Sequence, residues 1–148
     1  MTTIRFKVVS VDLNKSDQKN FRKNEALLKL VTNINPKGMK FCTSPSHLYI
    51  LDHTFGIDDP MNQVTNIRLS IDNTNFFGDG TELCFALINT ASLKLGQCTQ
   101  MEVPLMSIKD RLIHGTVYLE IYATYYVPEE HPRGCPLYIR PMLLGSVY

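Results

Sequence analysis

Residues 17–32 read DQKNFRKNEALLKLVT, and the way this stretch coils decides the fold expected for the chain. At 100° per residue from Phe21, Leu27, Leu28, Leu30 and Val31 gather on one side, while Lys19, Arg22, Lys23 and Lys29 fill the opposite arc. Glu25, Ala26, Leu27, Leu28, Lys29 and Leu30 form helices readily. Upstream, Asn14-Lys15-Ser16-Asp17 supplies helix N-cap residue types. Downstream, Asn35-Pro36-Lys37-Gly38 stops a helix, because Pro cannot continue one and Gly readily takes positive φ. The spacing predicts an amphipathic helix over 17–32 with a basic back.

On either side of this stretch the hydrophobic period is 2. Ile4, Phe6 and Val8 alternate, and Val9, Val11 and Leu13 follow one residue out of step, as in a strand with a bulge near Val8 and Val9. Residues 47–53 set Leu48 and Ile50 against Tyr49 and Leu51, and residues 64–72 place Ile67, Leu69 and Ile71 on one face. Residues 82–89 are apolar on both faces, which predicts a central strand covered on each side. Residues 98–106 alternate Met101, Val103 and Leu105. The clearest strand is 115–127, with Val117, Leu119, Ile121, Ala123, Tyr125 and Val127 inward and Tyr118, Glu120, Tyr122, Thr124 and Tyr126 outward. Residues 107–114 have room for a short helical turn. Residues 128–148, interrupted by Pro128, Pro132, Pro136 and Pro141, read as a Pro-rich irregular segment. The expected fold is α+β: a single domain over 1–148, mainly an antiparallel twisted sheet or partial sandwich, with one amphipathic helix near the N-terminus packed on it.

A chain of 148 residues, 44% hydrophobic and 20% charged, suits one globular core. Its 15 basic and 14 acidic side chains are unevenly spread. Residues 1–40 carry a net charge of +6 and the remainder −5, an asymmetry that suggests an anionic partner for the first part. The sequence lacks a signal-peptide pattern and any apolar run approaching ~18 residues, so neither a leader nor a transmembrane segment is expected. Cys42, Cys84, Cys98 and Cys135 lie far apart and read as reduced thiols of a cytosolic protein.

Catalytic chemistry finds little support. Cys42, His47, Asp52 and His53 come nearest to a metal set, without CxxC or HxxxH spacing, so no metal or cofactor is expected. Residues 72–83 look superficially like a calcium loop, but Thr74 and Phe76 stand where oxygen-rich ligands belong and Phe77 replaces the required glycine. No GxSxG elbow is present, and Gly78-Asp79-Gly80 puts a carboxylate where a phosphate would sit. His114, before the long strand, is the remaining candidate base. The expectation is a non-enzymatic protein. Lys19, Arg22, Lys23 and Lys29 are its candidate anionic-surface contacts, and Tyr118, Tyr122 and Tyr126 form a stripe that serves as an interface or lies under the helix.

The order of these elements resembles the matrix proteins of rhabdoviruses. The matching stretches are Arg5-Phe6-Lys7-Val8-Val9-Ser10-Val11, Asn20-Phe21-Arg22 leading into Glu25-Ala26-Leu27-Leu28, and Gly115-Thr116-Val117-Tyr118-Leu119-Glu120-Ile121. The resemblance implies a viral structural protein that self-associates and bridges the inner membrane surface and the nucleocapsid during assembly and budding. Its location would be the host cytoplasm and the virion, peripheral at the membrane. Two alternatives stand beside it: a nucleic-acid-binding jelly-roll module of movement or capsid type that uses the same basic end, and a small host-interaction adaptor that uses the tyrosine strand and the Pro-rich segment.

Overall fold

The computed structural model describes residues 2–19, 21, 25–74 and 80–125. Strands β1 (Thr2–Leu13), β2 (Ala26–Thr32), β3 (Asn35–Thr43), β4 (His53–Asp59), β5 (Asn66–Thr74), β6 (Gly80–Asn89), β7 (Cys98–Ser107) and β8 (Ile113–Tyr125) account for most of them. Among the described residues, helix is confined to the single turn α1 (Lys15–Gln18) and to two 3-10 turns, Pro45–Ile50 and Thr90–Ser92. The strands hydrogen-bond in the order β3-β2-β5-β6-β7-β8-β1-β4, each pair antiparallel.

The junction in this order is β6–β7. There the ladder is reduced to two paired positions, Cys84 opposite Ser107 and Phe85 opposite Met106. The sheet bends at this narrow hinge into two four-stranded halves, β3-β2-β5-β6 and β7-β8-β1-β4. Their inner faces share one core, to which Leu28, Leu30, Leu69 and Ile71 contribute from the first half and Phe6, Val8, Leu119 and Ile121 from the second. At the opposite side the halves meet again. The Phe41 ring of β3 stacks on His53 of β4 at 3.7 Å between centroids, and His53 meets Phe55 edge-on at 4.7 Å. Burial in this seam lowers the His53 pKa. The architecture is a nearly closed antiparallel β-sandwich.

The helix expected over 17–32 is absent. Asn14 does cap a helix, its side-chain oxygen accepting from the Asp17 N–H at 3.0 Å, but that helix ends at Gln18. Ala26–Thr32 is a strand between β3 and β5. The Leu27, Leu28, Leu30, Val31 set fits period 3.6 and period 2 equally well, and packing decides between them. As a strand between two others, the segment buries Ala26, Leu28, Leu30 and Thr32 on the core side and Leu27 on the other, while both backbone edges are paired. A helix would have buried one stripe only. Asn35-Pro36-Lys37-Gly38, expected as a helix stop, opens the edge strand β3, and Asn33-Ile34 makes the turn before it.

Other expectations fare variously. The bulge in β1 lies between Val8 and Ser10, so Val8 and Val11 both face the core. Ile67, Leu69 and Ile71 are buried together in β5. Residues 45–50 form a 3-10 turn instead of a strand, since Ser44 caps the Ser46 N–H and Pro45 starts the turn. β6 is central but not doubly covered: Leu87 is 61% exposed on its outer face, because no layer lies over it among the described residues. In β8, Val117, Leu119, Ile121 and Ala123 point inward as expected, whereas Tyr125 at the strand end is exposed. Gly115 lets β8 approach β1, because a Cβ there would collide with the Asp12 carbonyl oxygen.

The shared core makes a quantitative expectation. Phe6, with no exposed surface, joins both halves, and Phe6→Ala should lower the unfolding free energy by about 3–5 kcal/mol in urea titration. Tyr49→Ala, at a 68% exposed position, should change it by less than about 0.5 kcal/mol.

Candidate functional site

Of the four basic residues expected on one helix back, Lys19 and Lys29 lie on different elements. Lys19 lies just beyond α1, and Lys29 projects from the outer face of β2. Arg22 and Lys23 lie outside the described residues, as do Tyr126 and the segment 128–148. Tyr118 and Tyr122 stand half-buried on the outer face of β8, with no helix over them among the described residues. Tyr118 borders a shallow groove of about 420 Å³ together with Val9, Gln100, Glu102 and Glu120. Lys7 reaches across this face to Asp52 at 2.9 Å and Glu120 at 3.7 Å, and these carboxylates, Asp52 foremost, raise its pKa.

The outer face of the first half carries a different pattern. Strand register places Lys40, Lys29, Ser70 and Phe85 side by side across β3, β2, β5 and β6, and the row continues to Met106 and Ile113 beyond the hinge. Lys29 and Lys40 are direct cross-strand partners, an arrangement that like charges disfavour. Two acids lie near Lys29, of which Glu82 is paired and Asp72 keeps one buried oxygen without a hydrogen-bond partner. Glu82 forms a two-pronged pair with Arg68, one prong at 2.8 Å, and that hydrogen bond holds its carboxyl below the usual range. The Arg68 guanidinium also lies 4.4 Å over the Phe85 ring. Asp72, deep beside Leu27, has its pKa raised chiefly by burial and lowered in part by Ser70.

At one end of the sandwich, sequence reasoning missed a constellation altogether. His114, read as a lone candidate base, has both ring nitrogens engaged: Nδ1 with Asp17 at 2.7 Å and Nε2 with Asp110 at 2.8 Å. A ring bonded to carboxylates through both nitrogens is the protonated form, and the two acids, Asp17 first, raise the His114 pKa. Asp110 is held low mainly by the Leu112 N–H and further by His114. The bridge ties α1 to the β7–β8 connection. With no base left free, the histidine acts as a fastener.

The opposite end, where the β2–β3, β4–β5 and β6–β7 connections meet, is fastened by neutral amides. The Asn33 side chain accepts from the Thr65 N–H at 2.9 Å and donates to the Gln63 carbonyl at 2.8 Å, while Thr90 Oγ1 donates to the Val64 carbonyl at 2.8 Å. The Asp59 carboxylate accepts from the Gln63 and Val64 N–H groups at 2.7 and 2.9 Å.

No protein-family model matches the sequence, and no curated protein does. Solved structures match the fold. A C2 domain of plant extended synaptotagmin 1 superposes on 84% of this chain and 95% of its own, with a TM-score of 0.63 and 14% identity. A C2 domain-containing protein from a putative elicitor-responsive gene covers 81% of this chain and 86% of its own, at TM-score 0.62 and 12% identity. A CC2D1B structure matches 82% of this chain over 54% of its own length, at TM-score 0.58 and 12% identity. These likenesses define the fold class: the chain is a β-sandwich of the C2 type. The resemblance to rhabdovirus matrix proteins is thereby overturned, and with it the α+β packing, the matrix and virion role, and the jelly-roll and adaptor alternatives. The matching stretches were short strands and turns that many β proteins share. Nucleocapsid contact and self-association lose their basis as well.

Calcium is the metal that this fold family implies. It takes 6–8 oxygen ligands, several of them carboxylate. Among the described residues no group of three or more His, Cys, Asp or Glu converges on one point. Where the three connections meet, only Asp58 and Asp59 are acidic among the described residues, and Asp59 is committed to backbone N–H groups. The described residues do not fit a calcium site.

The His114 bridge has a pH signature. Its folded pKa lies above the ordinary 6.5, so its contribution to stability is complete below that value and is lost as pH rises through the raised pKa. Urea midpoints of the wild type should therefore fall over that alkaline step. His114→Gln should be less stable at pH 6 and should lack the step. An identical pH profile for both proteins rejects the bridge.

Proposed function

We propose that this chain is a non-enzymatic, peripheral module that docks on anionic lipid surfaces from the cytoplasmic side without calcium. The observation that carries the reading is the cross-strand pair Lys29 and Lys40 on the outer face of the first half-sandwich. Two ammonium groups side by side repel, and nearby Glu82 is already bound to Arg68. A layer of anionic headgroups above β2 and β3 relieves that repulsion. Each Lys near such a surface contributes about 1 kcal/mol. The C2-type fold supports the reading, as does one of the structural neighbours: CC2D1B is described as coordinating ESRCT-III activity during the mitotic reformation of the nuclear envelope. Among the described residues no helix is long and apolar enough to cross a membrane. The free thiols of Cys42, Cys84 and Cys98 suit a reducing compartment.

Co-sedimentation with phosphatidylserine-containing vesicles tests the reading. Binding should weaken about 30-fold in Lys29→Gln/Lys40→Gln, at about 1 kcal/mol for each removed charge. It should fall with added salt and be the same in calcium and in chelator. Equal binding to neutral phosphatidylcholine vesicles, or an absolute need for calcium, rejects it.

A further inference from the structure

The β7–β8 connection exposes more apolar surface than a turn between strands ordinarily does. Leu112 and Ile113 are adjacent and 62% and 64% exposed, and Ile108 across the turn is 40% exposed. Their backbone is fixed. The Ser107 N–H donates to the Leu112 carbonyl at 2.8 Å, the Arg111 N–H donates to the Ser107 carbonyl at 3.0 Å, and the Lys109 N–H donates to the Ser107 hydroxyl at 3.2 Å. Arg111 is held at φ 63°, a conformation that a side chain of its size rarely adopts.

Charge around this tip is one-sided. Lys109 and Arg111 are exposed and have no carboxylate within ion-pair distance among the described residues. The one acid of the turn, Asp110, is drawn back onto His114 and the Leu112 N–H. Through the same histidine, Asp17 fastens α1 beside the tip; Lys15 opens α1 and Lys19 caps it. Three exposed apolar side chains beside Lys109 and Arg111 complement an anionic bilayer: hydrocarbon for the apolar groups, phosphate and carboxylate headgroups for the two cations.

We infer that the β7–β8 tip, Ile108 to Ile113, is a lipid-inserting wedge, pre-shaped by its own hydrogen bonds and made cationic by Lys109 and Arg111. The inference rests on the anionic-lipid reading and adds which part of the molecule enters the bilayer.

The chain contains no tryptophan, so a single introduced one reports its own surroundings. Leu112→Trp should shift its emission to the blue on phosphatidylserine-containing vesicles and be quenched by bromine-labelled acyl chains, whereas Met61→Trp at the far end should do neither. Leu112→Asp/Ile113→Asp, at exposed positions outside the core, should weaken vesicle binding about tenfold or more while leaving the unfolding midpoint unchanged. Unchanged Leu112→Trp emission on vesicles that the protein demonstrably binds overturns the wedge and leaves the lysine-pair reading standing. Quenching of Met61→Trp in place of Leu112→Trp likewise overturns it, assigning insertion to the other end. If the Asp pair instead dissociates a dimer seen by sedimentation and leaves vesicle binding intact, the tip is a contact between copies and the wedge is overturned. Absence of wild-type binding to any vesicle removes both proposals.

Discussion

The structure depends on the hinge at Cys84–Ser107 and Phe85–Met106, where an eight-stranded antiparallel sheet narrows to two paired positions and bends onto itself. A sheet with one apolar face must bury that face, and in this chain almost no helix is available to do so among the described residues. Folding at the hinge lets each half cover the other. The buried side chains Leu28, Ile67, Leu69 and Ile71 then meet Phe6, Val8, Val117 and Ile121 in one core. The Phe41–His53 stack closes the far side, so each sheet edge lies next to the other half instead of standing alone in solvent.

With the core committed inward, chemistry is left to the two ends and the outer faces. The two ends are fastened by different means. At the β2–β3, β4–β5, β6–β7 end, neutral amides and the Asp59 carboxylate satisfy backbone groups, and no cation site forms among the described residues. At the other end an imidazolium joins two carboxylates from distant segments. Both devices fix loop geometry, but only the second depends on a titrating group. It also engages Asp17 and Asp110, while Lys15, Lys19, Lys109 and Arg111 form no ion pair among the described residues.

Alternation along β1, β5 and β8 was readable in the chain, down to the bulge that switches the buried face of β1 after Val8. Residues 26–32 were not readable. Leu27, Leu28, Leu30 and Val31 satisfy a helical stripe and a two-sided strand equally well, and only the presence of β3 and β5 on either side decides for the strand. The cations then leave their supposed common face. Lys29 goes to a sheet surface opposite Lys40, and Lys19 to the end of the sandwich.

What the sequence alone determined is therefore which residues face inward in the clearest strands, because the period-2 signal is local and each strand carries its own; the α+β class it suggested gave way to an almost wholly β sandwich. The tertiary structure alone decided which charges stand together. Asp17 and His114 are 97 residues apart, and Lys29 meets Lys40 through strand register, a relation invisible until the chain has folded. Local pattern records which way a side chain points. What it points at depends on segments distant in sequence, and here those segments made a basic, apolar-tipped end out of residues that looked unrelated.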